Sequence, residues 1–129
     1  MIYLDTSAVL KLVVPEAETP QLELWLAQRA EVPRVSSRLL RIEMLRAVAR
    51  SAPHRMSRAN VVLSAITLLS IDDIVSTAES IGNATLRSLD AIHLATAQNV
   101  GTALTAFACY DERLCDSARA AGLPVESPA

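Results

Sequence analysis

Aromatic side chains are scarce: one Trp, one Phe and two Tyr in 129 residues. A core built without them must be Leu, Val, Ile and Ala. With only three Gly as well, the composition favours helices around a small aliphatic sheet. No apolar run approaches the roughly 18 residues needed to cross a bilayer. No basic segment leads into an apolar stretch and cleavage site, and the first strand candidate begins at residue 2. A cytoplasmic protein without a removable leader is therefore expected. Cysteine is limited to Cys109 and Cys115. They lack a Cys-x-x-Cys spacing and are expected as reduced thiols. Two His, no paired Cys and no His-Glu-x-x-His argue against a zinc site. The length fits a single domain over residues 1–129.

What is abundant is arginine, and it is unevenly placed. Eight of the twelve basic residues are Arg29, Arg34, Arg38, Arg41, Arg46, Arg50, Arg55 and Arg58, opposed locally only by Glu31 and Glu43. The chain as a whole carries a net charge of −2. Such a stretch is either a solvated helix face or a surface that tracks phosphates.

Apolar patterning gives an alternation of strands and helices. Ile2-Tyr3-Leu4 reads as a short buried strand ending at Asp5, with a helix just beyond. Thr19 and Pro20 open a second helix striped by Leu22, Trp25 and Leu26. Val32–Ser36 is a weak strand, and Ser37 caps a helix running to about Arg50. Ser57 restarts a helix carrying Val61 through Leu69. Ser70-Ile71 is a strand candidate, and Asp72 or Asp73 caps a helix ending near Gly82. Ser88–Ala97 opens a further helix, Thr102–Tyr110 reads as a buried strand, and Glu112–Ala121 is a helix stopped by Gly122. Leu123–Glu126 forms a last edge strand before a frayed end. Alternation of this kind predicts a parallel sheet with helices on both faces.

Two acids, Asp5 and Asp111, fall at strand ends, and two, Glu43 and Asp90, fall on helices. In open α/β sheets, ligands bind outside the carboxyl ends of the strands, and all four acids can converge there. Each has a plainer reading. Asp5 and Asp111 would serve as N-caps, Asp90 as a favourable charge in a first helical turn, and Glu43 as a partner for Arg46 or Arg50. Glu43 nonetheless borders the apolar row of Leu39 and Ala47. Converging carboxylates need a cation, and an all-oxygen donor set suits Mg²⁺ or Mn²⁺. Beside an arginine surface, that points to phosphodiester chemistry. His93, one turn after Asp90, reads as a core or supporting residue outside the site.

Ile2-Tyr3-Leu4-Asp5-Thr6-Ser7-Ala8, the helical Glu43, Leu89-Asp90-Ala91-Ile92-His93-Leu94-Ala95 and Phe107 through Leu114 resemble the PIN domain. Among its members the likeness is to the VapC-type toxins of bacterial toxin–antitoxin pairs. The resemblance covers nearly the whole chain. It implies a three-layer α/β/α sandwich with a parallel four- or five-stranded sheet and a Mg²⁺- or Mn²⁺-dependent endoribonuclease. Asp5, Glu43, Asp90 and Asp111 would be the catalytic and metal-binding acids, with Thr6 or Ser7 supporting. Arg38, Arg41, Arg46 and Arg87 are candidates for RNA contact. The resemblance also implies a homodimer and a cognate antitoxin that covers the site and carries the complex to operator DNA. One departure is Cys109, where the family usually has Thr. A thiol is the weaker donor. Asp116 lies too far along its helix to be assigned to the site. The other reading of the same pattern is a non-catalytic PIN-like module that binds RNA or protein.

Overall fold

The computed structural model describes residues 1–129. In chain order its elements are β1 (Ile2–Leu4), α1 (Thr6–Val13), α2 (Thr19–Ala27), β2 (Arg34–Ser37), α3 (Leu39–Ser51), α4 (Met56–Ser64), β3 (Thr67–Leu69), α5 (Val75–Ala78), α6 (Ser88–Val100), β4 (Ala106–Ala108), α7 (Glu112–Ala120) and β5 (Val125–Glu126). The five strands form one sheet in the order β3-β2-β1-β4-β5, and every pairing is parallel. Helices cover both faces, as the alternation of elements implies.

β1 lies at the centre because its three residues are apolar on both faces, and all are fully buried. Strand alternation sends Ile2 and Leu4 one way and Tyr3 the other. Ile2 and Leu4 join Ala106 and Ala108 of β4 in a core with Val9, Leu22, Leu40, Met44, Val48 and Leu63, drawn from α1, α2, α3 and α4. Tyr3 and Phe107 point to the opposite layer, where Leu94 and Ala97 of α6 meet Leu114 and Ala118 of α7. Their rings stack at 5.3 Å between centroids. Two of the chain's four aromatics thus anchor the smaller of the two core layers.

The strand order sets the position of the site. From β1 the chain moves outward to β2 and β3. It then returns to the other side of β1 and moves outward again through β4 and β5. The connections leave the carboxyl ends of β1 and β4 in opposite directions, which opens a crevice between those two ends. Asp5 follows β1 and Asp111 follows β4, so the topology brings both to the crevice.

Several boundaries differ from the sequence reading. α4 stops at Ser64, and Thr67–Leu69 is the third strand, so Ser70-Ile71 lies beyond it. A short apolar run fits a buried strand as well as a helix. The helix expected from Asp72 to Gly82 shrinks to Val75–Ala78, and neither Asp72 nor Asp73 caps it. β4 is three residues long, because Gly101–Ala103 forms a 3-10 turn before it. Thr19 lies inside α2, where its hydroxyl donates to the Lys11 carbonyl (2.8 Å) instead of capping. The expected stop at Gly122 holds, with φ +81° just past α7. The C-terminal end is tied: Ser127 Oγ donates to the Cys109 carbonyl (2.5 Å), and Tyr110 OH donates to that of Pro128 (2.6 Å).

Candidate active site

Asp5 leaves β1 and caps α1. It is only 3% exposed. Its Oδ2 accepts from the Ser7 N–H (3.1 Å) and the Ser7 hydroxyl (2.7 Å), with the Cys109 thiol at 3.6 Å. Asp111 leaves β4 and caps α7, its Oδ1 accepting from Leu114 N–H at 3.0 Å. The capping readings of these two acids therefore hold. They do not compete with a role at the crevice, because in each carboxylate the second oxygen takes no hydrogen bond.

Glu43, on α3, makes no ion pair with Arg46 or Arg50. Its Oε1 accepts from Thr6 Oγ1 (3.1 Å) and lies 2.6 Å from His93 Nε2. His93 is completely buried. Its Nε2 also stands 3.1 Å from Thr6 Oγ1 and 4.0 Å from Asp5 Oδ1, while Nδ1 is 2.7 Å from the Tyr3 hydroxyl. Burial alone would depress the His93 pKa. The hydrogen bond that the ring donates to Glu43 and the charges of Asp5, Glu43 and Asp90 outweigh it and hold the ring above its usual value. His93 is thus a buried residue that supports the acids, in keeping with its reading as a core or supporting residue. A lone His in an apolar helix gives no signal of its partners, and only the pairing of α6 with α3 and β1 reveals them.

Asp90 sits half-buried in the first turn of α6 and takes no hydrogen bond. Burial raises its pKa. The charges of Asp5, Asp111 and Glu43 push the same way, opposed by His93. Asp90 is therefore near enough to the other three acids to respond to their charges. As the side chains stand, no three of the acids, histidines and cysteines are gathered closely enough to hold a metal ion. One oxygen each of Asp5, Glu43 and Asp111 is engaged by the protein, which turns those groups toward their caps and toward His93. The donor chemistry fits a hard divalent cation: four carboxylates, flanking hydroxyls at Thr6 and Ser7, and mutual repulsion that a positive ion would relieve.

The supporting residues have distinct places. Thr6 faces Glu43, whereas Ser7 faces Asp5 and accepts from the Tyr110 N–H at 2.9 Å. Cys109 and Cys115 are both free and buried. Burial and the nearby Asp5 charge push the Cys109 thiol up, so it stays protonated beside the carboxylate. Asp116 turns away to Arg119 at 3.4 Å on an exposed surface. Arg38, Arg41, Arg46 and Arg87 are all exposed, and none pairs with an acid. Two other arginines of the basic stretch are structural. Arg29 covers the Trp25 ring, and Arg58 donates to the Leu12 carbonyl.

Comparison with known proteins matches the PIN domain over residues 2–120. Ribonuclease VapC47 of Mycobacterium tuberculosis (strain CDC 1551 / Oshkosh) is 43% identical over 99% of this chain and 97% of its own. Ribonuclease VapC46 of the H37Rv strain is 40% identical over 98% and 97%. Among solved structures, the M. tuberculosis toxin VapC20, described as cleaving the sarcin-ricin loop, superposes with a TM-score of 0.73 at 18% identity, covering all of both chains. VapBC2 from Rickettsia felis, bound to a promoter DNA fragment, gives 0.69 at 16% identity, again over both whole chains. These last two share the fold. The family match and the full-length relatives go further, and on them the chain belongs to the PIN-domain family, among the VapC ribonucleases.

Proposed function

We propose that this protein is a Mg²⁺- or Mn²⁺-dependent endoribonuclease, the toxin of a type II toxin–antitoxin pair. One observation supports this most. Two carboxylates follow β1 and β4 at the sheet's switch point and two stand on α3 and α6, and Asp90 is raised above its ordinary range by burial and then by the charges of Asp5, Asp111 and Glu43. A site assembled from four elements against its own electrostatic cost is a functional site rather than a set of helix caps. The full-length relatives carry the name ribonuclease, which agrees with the chemistry of the donor set.

In this reading Asp5, Glu43, Asp90 and Asp111 hold the ion and are the catalytic residues. When bound, the ion activates water and offsets negative charge developing on the phosphate. Ser7 and Thr6 fix one oxygen each of Asp5 and Glu43, so that the opposite oxygens face the crevice. Arg38, Arg41, Arg46 and Arg87, unpaired and exposed, track the RNA phosphates. The exposed apolar side chains Leu24, Ile42, Val61, Val75 and Leu89 supply surface for a second copy in a homodimer and for the cognate antitoxin, through which operator DNA is reached. No helix is long and apolar enough to cross a membrane, and the protein works in the cytoplasm.

The test is cleavage of RNA by purified protein freed of any antitoxin. Activity should require Mg²⁺ or Mn²⁺, stop in EDTA, and be lost in Asp5→Asn. Fragments should carry 5′-phosphate and 3′-hydroxyl ends, as water attacks in line. Undiminished cleavage in EDTA, or 2′,3′-cyclic phosphate ends, would overturn the mechanism.

A further inference from the structure

We infer that His93 and Tyr3 are a positioning pair for Glu43: a buried hydrogen-bond relay that fixes which oxygen of that carboxylate is left for the cation. The inference rests on the four-acid reading and assigns a role to residues outside it. The chain of contacts is continuous, from the Tyr3 hydroxyl to His93 Nδ1 (2.7 Å) and from His93 Nε2 to Glu43 Oε1 (2.6 Å). Whether the ring is neutral or charged, Nε2 carries a hydrogen, because a carboxylate faces it. Glu43 therefore always accepts there. With Thr6 Oγ1 donating to the same oxygen, Oε1 is doubly engaged and Oε2 is free.

Neither end of the relay can drift. Tyr3 is a residue of the central strand, fully buried and stacked on Phe107. The His93 ring meets Tyr3 edge-on at 84°, with centroids 5.9 Å apart, and is fully buried on α6. Glu43, by contrast, stands on α3 with a long side chain one-fifth exposed. Left to itself it would sample many rotamers. A carboxylate held by a histidine, itself oriented by a further group, is the arrangement by which outer residues set a metal ligand's direction. Removing such partners commonly weakens metal affinity about 10–100-fold. The same His93 Nε2 lies 4.0 Å from Asp5 Oδ1, so one ring nitrogen stands beside both of the first two acids.

The experiment is titration of metal-stripped protein with Mn²⁺, followed by calorimetry, for wild type, Glu43→Gln, His93→Leu, His93→Gln and Tyr3→Phe. Circular dichroism checks that each is folded. Glu43→Gln should weaken binding. His93→Leu should weaken it about 10-fold or more. His93→Gln keeps an N–H near the Nε2 position and should restore most of the loss. Tyr3→Phe keeps the ring packing and removes only the hydroxyl, so it should weaken binding a few-fold at unchanged fold. If Glu43→Gln weakens binding while Tyr3→Phe and every folded His93 variant match wild type, the positioning role is wrong and the four-acid site stands. If wild type itself binds no Mn²⁺ at millimolar concentration, both fall.

Discussion

The Ser7 hydroxyl donates to Asp5 Oδ2 at 2.7 Å and accepts from the Tyr110 N–H at 2.9 Å. It therefore joins the end of β1 to the end of β4 across the crevice. Ser7→Ala would leave the Tyr110 N–H without a partner. An orphaned donor of this kind costs about 1–3 kcal/mol. Urea unfolding of metal-free protein should show a loss in that range, and Ser7→Thr should recover part of it. Asp90 behaves in the opposite sense. Its folded pKa is raised, first by burial and then by Asp5 and Asp111, so the native state binds a proton more readily than the unfolded chain. Stability from this source is present below the unfolded carboxylate pKa, near 3.9, and is lost as pH rises through the raised value. In EDTA, Asp90→Asn should therefore melt close to wild type at about pH 4 and increasingly above it as pH rises. A difference that stays constant with pH would mean that Asp90 is not held up by its neighbours. At this scale the acids were legible because each sits at a strand end, in a first helical turn or beside an apolar row. His93, Tyr3 and Ser7's second bond were not, since their partners lie 50 or more residues away in the chain.

At the scale of elements, α3 carries the site and the basic surface together. Leu40, Met44 and Val48 bury one stripe, Glu43 borders it, and Arg41 and Arg46 face solvent, with Arg38 at the N-cap. Replacing Arg38, Arg41 and Arg46 by Gln should lower RNA affinity. It should also flatten the log–log salt dependence by about 0.7 for each single-strand phosphate that an arginine no longer neutralises. An unchanged slope in a filter-binding series would return these residues to the role of a solvated helix face. Long helices such as α3 and α6 were readable because their apolar residues recur for several turns. The Thr67–Leu69 strand and the four-residue α5 were misplaced, since runs this short carry too few residues for a period to be distinguished. Pairing with β2 decides the first. The expected fraying after Glu126 fails for a similar reason: nothing in Ser127-Pro128 announces that a distant carbonyl and Tyr110 will hold them.

For the molecule as a whole, parallel order and a reversal beside β1 bring Asp5 and Asp111, at the ends of β1 and β4, to one crevice, and Asp90 responds to the charges of Asp5, Asp111 and Glu43. The alternation of elements foretold the parallel sheet, but the order β3-β2-β1-β4-β5 follows from packing. Burial of Ile2, Tyr3 and Leu4 on both faces puts β1 in the middle. The consequence is a fold that holds Asp90 within reach of three like charges, and the proposed metal-dependent chemistry rests on that. Asp111→Asn tests it most directly, because Asn preserves the α7 cap and removes one charge. Melting temperatures of wild type and variant should be measured at about pH 7.5, with EDTA and with millimolar Mn²⁺. In EDTA the variant is expected to melt above wild type. Mn²⁺ should then raise wild type by several degrees, since an ion at a hundred times its Kd adds about 2.7 kcal/mol, and raise the variant much less. A variant that melts no higher than wild type in EDTA, with both responding equally to Mn²⁺, would contradict the charged site and with it the nuclease chemistry.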